Sequence, residues 1–157
     1  MSDKPAPAGT SAPVGPATKE EILSYIPHRD PFLFVDEVEV SDGHIKGSRT
    51  MPDDSWFFKG HFPHFPVVPG VLLVETMAQI GGCGVQRMGI KPAGTFFLAK
   101  IREARFRRPV RPGERFHVEI DNIKATPNIV HQRGVGYVDG EAAVEAEWLS
   151  IAGGDRT

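Results

Sequence analysis

Three features of this sequence predict an α+β fold in which an antiparallel sheet wraps around one central helix. One long segment, from Pro69-Gly70 to about Met88, is apolar around nearly its whole circumference, which is typical of a buried helix. After Gly94, apolar residues recur at every second position, which is the period of β-strands. Two further strand-like segments precede the helix, so most of the sheet is predicted to follow the helix along the chain.

Length and composition indicate one ordinary globular domain. The chain has 157 residues, of which 40% are hydrophobic and 24% charged, and this is enough to bury a core. The net charge of -2 predicts no whole-chain attraction to nucleic acid. The single cysteine, Cys83, excludes an intramolecular disulfide, and no apolar run of about 18 residues predicts a membrane span. The N-terminus lacks a secretory signal pattern, so we expect a cytoplasmic location.

Residues 1–17 differ in composition from the rest of the chain. They are rich in Pro, Ala, Gly and Ser, which predicts a disordered extension. A single domain is therefore expected over residues 18–152, followed by a flexible C-terminal tail over residues 153–157.

A short helix and a hairpin are predicted before the central helix. Thr18 and Glu21 have the spacing of a capping box, which predicts that a helix begins there. The segments 31–40 and 44–51 are rich in strand-forming residues, and the Asp-Gly turn between them predicts a hairpin. A long connection over residues 52–69 follows, and a loop of this length inside a domain is usually functional.

Four strands are predicted after the helix, separated by turn signals. The turns lie at Arg111-Pro112-Gly113-Glu114 and at Asp139-Gly140. The strands are expected over residues 95–110, 113–126, 128–138 and 142–152. Within the helix itself, a cluster of glycines costs helix propensity, which predicts the close approach of another backbone at Gly81, Gly82 and Gly84.

Two side chains are suited to acid–base chemistry without a metal. Glu75 interrupts the apolar surface of the central helix, where desolvation favours a neutral acid that can donate a proton. His61 lies in the Pro-rich loop before the helix, and an imidazole accepts a proton at physiological pH. An acid and a base in one region predict proton abstraction next to a carbonyl, with protonation of a leaving group.

The start of the central helix is predicted to bind a developing negative charge. The amides near Gly70 and Val71 have no intrahelical partner, and the helix dipole favours an anion there. Gly70 also has no side chain to block a ligand. A carbonyl placed at this point would be polarised where an enolate charge develops.

Other kinds of site have little support in the sequence. His61 and His64 form an H-x-x-H pair, but Pro63 between them and the lack of a helical context argue against a metal site. No dinucleotide or phosphate-binding fingerprint occurs, so no cofactor is expected. No G-x-S-x-G motif is present and Cys83 has no neighbouring base, so no Ser or Cys nucleophile is predicted.

The charge distribution is uneven after the central helix. Between Lys100 and Arg115 basic residues predominate, and the acidic residues are only Glu103 and Glu114. Two interpretations stay open: the solvated face of a strand and turn, or a docking patch for an acidic partner or a phosphate. The basic residues are Lys100, Arg102, Arg105, Arg107, Arg108, Arg111 and Arg115.

Three motifs occur in one order along the chain: IPHRDPFLFVDEV, GHFPHFPVVPGVLLVETMAQ and ARFRRPVRPGE. They resemble the 3-hydroxyacyl-[acyl-carrier-protein] dehydratases of bacterial fatty acid synthesis, the FabZ type. The resemblance covers about residues 20–151 and implies a hot-dog fold, a curved antiparallel sheet wrapped around one long helix. It also implies a homodimer with active sites at the interface, assembled into a trimer of dimers, and a reaction without a cofactor.

The resemblance implies reversible loss of water from a (3R)-3-hydroxyacyl thioester, which gives a trans-2-enoyl thioester. His61 would take the proton next to the carbonyl, and Glu75 of the other subunit would protonate the departing hydroxyl. The amide of Gly70 would hold the thioester carbonyl, and Gln79 would hold the polar end of the pocket.

The same resemblance implies how the carrier-linked substrate is held. An apolar tunnel would take the acyl chain, lined by Phe96, Phe97, Leu98 and Ile101. The basic stretch would meet the phosphopantetheine phosphate and the acidic acyl carrier protein through Lys100, Arg102, Arg105, Arg107 and Arg108.

Three alternatives and one departure from the family accompany this interpretation. His64 stands where the family has glycine, which bears on chain-length preference and on backbone strain if the site needs a positive φ. One alternative is a dehydratase that also isomerises the double bond, although that group has aspartate at the position of Glu75. The others are a hot-dog thioesterase and a noncatalytic acyl-carrier-binding subunit, which would need neither His61 nor Glu75.

Overall fold

The chain forms three helices and six strands within residues 13–154, the part that the computed structural model describes. No helix in this range is both long enough and apolar enough to cross a membrane. The element order agrees with the prediction, apart from a four-residue helix inside the long connection. In chain order the elements are α1 Lys19–Tyr25, β1 Glu37–Ser41, β2 His44–Thr50, α2 Phe58–His61, α3 Gly70–Arg87, β3 Thr95–Phe106, β4 Arg115–Ala125, β5 Ile129–Val138 and β6 Glu141–Gly153.

The strands form one antiparallel sheet in the order β1-β2-β4-β5-β6-β3. The predicted hairpin is confirmed, because β1 pairs with β2 around a turn in which Asp42 and Gly43 have φ angles of 50° and 78°. Register shifts interrupt the β3–β6, β4–β5 and β5–β6 pairings. Such irregularities bend strands and increase their twist, which suits a sheet that curves around a helix.

Helix α3 lies at the centre of the core, as predicted for a helix that is apolar all round. Its Met77 and Ile80 are fully buried, and they belong to one cluster with Ile45, Phe116 and Trp148 of the sheet. The cluster joins helix and sheet, so every strand contacts α3. The helix is thereby fixed, and residues on its first turns are presented at a defined place.

The glycines of α3 allow the sheet to approach closely. A Cβ atom added to Gly84 would lie 2.4 Å from Ile45, and one added to Gly81 would lie 2.1 Å from Gln132. Gly82 is different, since its nearest neighbour would be Ile26 at 3.8 Å. Close packing occurs at two of the three glycines, but the predicted approach of another backbone is wrong, because the nearest neighbours are the side chains of Ile45 on β2 and Gln132 on β5.

Helix α1 is tied to the C-terminal end of α3. The predicted capping box is confirmed: Thr18 Oγ1 accepts from the Glu21 amide at 3.1 Å, and Glu21 Oε1 accepts from the Thr18 amide at 2.8 Å. Arg87, which is 4% exposed, donates to Glu21, to the Tyr25 hydroxyl and to the Gly15 carbonyl. The hydrogen bond from the Thr18 amide, and next the Arg87 guanidinium, lower the pKa of Glu21.

The ordered domain begins earlier than predicted. Ala17 is buried and its amide donates to the Val38 carbonyl at 2.8 Å, so the last residues of the predicted extension are attached to β1. At the other end, Gly153 is the last residue of β6 rather than the first residue of a tail. The rest of the predicted extension and tail, residues 1–12 and 155–157, lies outside the described residues.

The first strand is shorter than predicted, because a side chain of α3, rather than a neighbouring strand, bonds to the backbone before Glu37. Gln79 on α3 accepts from the Phe34 amide at 2.8 Å and donates to the Phe32 carbonyl at 3.0 Å. Its side-chain amide thus takes the backbone groups that a pairing strand would take. Phe32 and Phe34 are therefore attached to α3 through Gln79, which also contacts Glu75.

Candidate active site

A cavity of about 490 Å³ lies between α1, the middle of α3 and the start of β3. Much of its wall is apolar, and Phe96, Phe97 and Leu98 line it, as the resemblance implies for an acyl tunnel. Ile101, the fourth side chain considered for the tunnel, does not line this cavity. Polar or charged residues also line the wall, namely Ser24, Tyr25, His28, Arg29, Glu75, Gln79, Gln86, Thr95, Gln132 and Ser150.

Glu75 is the carboxylate in this wall. Its side chain is 19% exposed, and Gln79, one helical turn later, donates to its Oε1 at 2.8 Å. His28 Nε2 lies 3.3 Å from the same oxygen. The surroundings of Glu75 are therefore more polar than its apolar neighbours in the sequence suggest, because the loop after α1 brings an imidazole to it.

His28 is the site residue that the sequence does not single out. It stands in the HRD segment between Pro27 and Pro31, a polar run between a helix and an apolar segment. The segment also belongs to the first of the three motifs that carry the family resemblance, but no role was assigned to His28 there. The contact with Glu75 joins two distant parts of the chain, so it follows only from the packing of α1 against α3.

His61, the last residue of α2, has a fixed ring. Its Nδ1 lies 3.1 Å from the Val67 carbonyl, and a carbonyl only accepts, so Nδ1 carries the hydrogen and Nε2 the lone pair. The Phe62 ring stacks on the imidazole at 3.9 Å. Nε2 is thus available as a base. His61 does not line the cavity that contains Glu75, so one chain does not bring the predicted base and acid into one cavity.

The start of α3 has two free amides. The amides of Leu72 and Leu73 donate to the Pro69 carbonyl, whereas within residues 13–154 those of Gly70 and Val71 donate to no acceptor. The predicted oxyanion donors are therefore available. Gly70 also serves packing, because an added Cβ would lie 2.8 Å from the Phe106 ring. The Val71 side chain is 73% exposed and lies away from the cavity.

His64 occupies its position without backbone strain. Among the non-glycine residues of the described range, only Asp42 and Asp139 have a positive φ. The replacement of the family glycine therefore places no L-residue in the left-handed region. Its neighbour Phe65 is 52% exposed and lies under the Arg111 guanidinium at 5.5 Å.

The arginines predicted to dock a carrier are largely paired within the chain. Each contacts a carboxylate, so the patch carries less net positive charge than the sequence suggests. Lys100 has no ion pair within residues 13–154. The pairs are Arg102 with Glu147, Arg105 with Glu103, Arg107 with Glu145, and Arg108 with Glu114 and Glu141.

Two other groups bear on the chemistry. Cys83 is fully buried, and burial raises its pKa to about 12, so the thiolate that a nucleophile requires is strongly disfavoured. In the part of the chain from residue 13 to residue 154, no three His, Cys, Asp or Glu side chains are grouped as metal ligands.

Residues 26–147 match the FabA-like domain family. Two curated relatives are 3-hydroxyacyl-[acyl-carrier-protein] dehydratases named FabZ. The one from Aromatoleum aromaticum is 45% identical over 132 residues, which cover 81% of this chain and 91% of the relative. The one from Bacillus subtilis is 41% identical over 138 residues, which cover 87% of this chain and 97% of the relative.

Solved structures agree on the fold. The dehydratase heterocomplex ApeI:P from Xenorhabdus doucetiae matches with a TM-score of 0.69 at 19% identity, over 85% of this chain and 91% of that chain. A hypothetical thioesterase with coenzyme A from Streptococcus pneumoniae matches with a TM-score of 0.57 at 12% identity, over 88% and 95%. The chain therefore has the predicted hot-dog fold, and it belongs to the FabA-like family, among the 3-hydroxyacyl-[acyl-carrier-protein] dehydratases of the FabZ type.

Proposed function

We propose that this chain is a hydro-lyase that reversibly dehydrates (3R)-3-hydroxyacyl groups on acyl carrier protein to trans-2-enoyl groups in fatty acid biosynthesis. The observation that carries the proposal is the position of Glu75: a carboxyl that accepts from Gln79 in the wall of a largely apolar cavity. Identity of 45% to a named dehydratase supports the same reaction. A cavity with largely apolar walls suits an acyl chain, and the Glu75 carboxyl in its wall would donate the proton.

In the proposed mechanism, His61 is the base and Glu75 the acid. His61 Nε2 takes the proton from the carbon next to the thioester carbonyl, and the electron pair moves towards the carbonyl oxygen. The amide of Gly70, at the positive end of the α3 dipole, stabilises the charge on that oxygen. The bond between the third carbon and its hydroxyl then breaks, Glu75 gives its proton to the departing oxygen, and water leaves.

The proposed site is shared between two subunits. Support comes from the separation of His61 from the cavity of Glu75, and from the open sheet edge at β3. Apolar side chains on this edge strand are exposed, Phe97 at 54%, Ile101 at 46% and Phe106 at 53%. Such an edge favours pairing with a second copy. A homodimer built along β3, with higher assembly into a trimer of dimers, would bring His61 of one chain to Glu75 of the other.

The proposed partner is acyl carrier protein with its phosphopantetheine-linked chain. Lys100 has no intramolecular ion pair in the described range, unlike the four arginines predicted to dock the carrier, so we place the phosphate contact there first. The paired residues, Arg102, Arg105, Arg107 and Arg108, would contribute by exchanging partners. Docking of this kind weakens as salt is added, because exposed charges are screened.

The test is ultraviolet absorbance of crotonyl thioester, presented on acyl carrier protein, in the presence of the purified protein. Hydration removes the conjugated-thioester band, and His61→Ala is expected to abolish this loss while the fold is kept. A thiol reagent runs in parallel. Release of free thiol without hydration would instead indicate the thioesterase, and no change of either kind with carrier-linked substrates of several lengths would indicate a binding subunit.

A further inference from the structure

The two polar contacts of Glu75 fall on one oxygen. Oε1 accepts from Gln79 Nε2 at 2.8 Å and lies 3.3 Å from His28 Nε2. Within residues 13–154 no hydrogen bond reaches Oε2. Gln79 donates to Oε1 and the His28 ring nitrogen faces the same oxygen, so these contacts leave Oε2 to carry the acidic proton.

The orientation of Gln79 is fixed by backbone groups. Gln79 is only 2% exposed. Its Oε1 accepts from the Phe34 amide, and its Nε2 donates to the Phe32 carbonyl as well as to Glu75. Reversing the amide would set donor against donor and acceptor against acceptor at both places. Gln79 therefore presents an N–H group to Glu75.

The tautomer of His28 follows from a similar comparison. Its Nδ1 is buried and has no hydrogen-bond partner, whereas Nε2 faces the Glu75 carboxyl. A hydrogen on Nδ1 would be a buried donor without an acceptor, so the hydrogen belongs on Nε2. The backbone is held as well, because the Arg29 guanidinium donates to the carbonyls of Leu23, Ile26 and His28 at 3.0, 2.9 and 2.7 Å.

We propose that His28 is a positioning residue, which with Gln79 holds Oε1 of Glu75 and so directs the proton on Oε2 into the cavity. This inference rests on the proposed role of Glu75 as the acid. Once Oε2 has given up its proton, the two N–H groups stabilise the carboxylate that remains. His28 also lines the cavity, and its effect on the reaction is assigned to its contact with Glu75.

Matched variants test the donor. Glutamine carries its Nε2 as many bonds from Cα as histidine does, whereas the asparagine amide nitrogen matches Nδ1, which does not reach Glu75. His28→Asn and His28→Leu are expected to lower kcat on the order of tenfold to a hundredfold, the effect of one hydrogen bond to a charged group, with KM little changed. His28→Gln is expected to recover most of kcat. Equal activity of the Gln and Asn variants would overturn the proposal.

A double-mutant cycle tests whether His28 acts through Glu75. In a Glu75→Gln background, where the acidic proton is absent, His28→Leu is expected to cause little further loss. A loss as large as in the wild-type background would show that His28 acts elsewhere and would contradict the proposal.

A measurement independent of turnover separates this inference from the proposed function. Nitrogen-15 NMR of labelled histidines distinguishes an N–H nitrogen from a bare one, and comparison with His28→Gln assigns the signals of His28. We expect hydrogen on Nε2 and a shift of that signal in Glu75→Ala. Hydrogen on Nδ1, or no response to Glu75→Ala, would overturn the positioning role. An inactive protein with the expected spectrum would contradict the proposed function while keeping the contact.

Discussion

The two side chains proposed to move protons are held by opposite kinds of partner. His61 donates through Nδ1 to the Val67 carbonyl, which leaves a lone pair on Nε2 for a base. Glu75 Oε1 accepts from Gln79 and lies 3.3 Å from His28 Nε2, which leaves Oε2 for the proton of an acid. Each hydrogen-bond pattern thus leaves one atom of the side chain, Nε2 of His61 or Oε2 of Glu75, without a partner inside the described part of the chain.

Glu75→Gln tests the acid. Glutamine has nearly the same shape and can still accept from Gln79, so the fold and the cavity should be kept while the transferable proton is lost. We expect kcat for hydration of the enoyl thioester to fall at least about a hundredfold, the usual scale for general acid catalysis. Thermal melting is the control and should hardly change. Activity close to wild type would mean that the proton comes from another group.

The sequence identifies His61 and Glu75 but gives an incomplete view of what surrounds them. Glu75 stands out because a carboxyl on an apolar helix is unusual, and such a signal is local. His28 does not stand out, since its contact depends on how α1 packs on α3. The same holds for Arg107, the residue after β3: it meets Glu145 on β6, and this pairing requires the strand register.

At the scale of elements, the central helix depends on glycine where the sheet packs most tightly. Gly84→Ala is expected to destabilise the fold by about 1–3 kcal/mol, because the added methyl would overlap the fully buried Ile45. Gly82→Ala is the matched control. The added methyl would clash with nothing, and alanine has a higher helix propensity than glycine. The free energy of unfolding is therefore expected to rise by between zero and about 1 kcal/mol. Urea unfolding measures both, and equal effects would contradict the packing explanation.

The attachment of α1 to α3 is predicted to weaken in acid. The pKa of Glu21 is lowered in the folded protein, so its contribution to stability is complete above the ordinary carboxyl range and is lost as pH falls through the lowered value. Glu21→Gln keeps the capping geometry but removes the charge beside Arg87. Its melting temperature should lie a few degrees below wild type at neutral pH, and the difference should shrink in acid. A difference that grows in acid would reverse the assigned sign.

Element order was predictable because helix and strand periods differ clearly in this chain. The central helix was expected to end at about Met88 and ends at Arg87, and the capping box at Thr18 starts α1 as expected. Residues 31–36 are the exception. Their composition favours a strand, but the backbone groups of Phe32 and Phe34 bond to the Gln79 side chain, a tertiary contact that no local pattern encodes.

At the scale of the whole molecule, one chain is an incomplete enzyme in this account. The cavity holds the acid and the acyl-lining residues, the base lies outside it, and the apolar edge strand β3 is open. A second copy would cover the edge and supply the base. Catalysis and assembly are then coupled, so loss of the dimer would remove activity even with both proton-transfer groups intact.

The most direct test mixes two inactive variants. His61→Ala and Glu75→Gln subunits are unfolded together, refolded at equal concentration and assayed for enoyl-thioester hydration. If each site takes His61 from one chain and Glu75 from the other, random assembly restores about one quarter of wild-type activity, since each intact group is present in half of the positions. Two different tags on the variants verify that mixed assemblies form. If such a mixture stays as inactive as either variant alone, the shared site is contradicted.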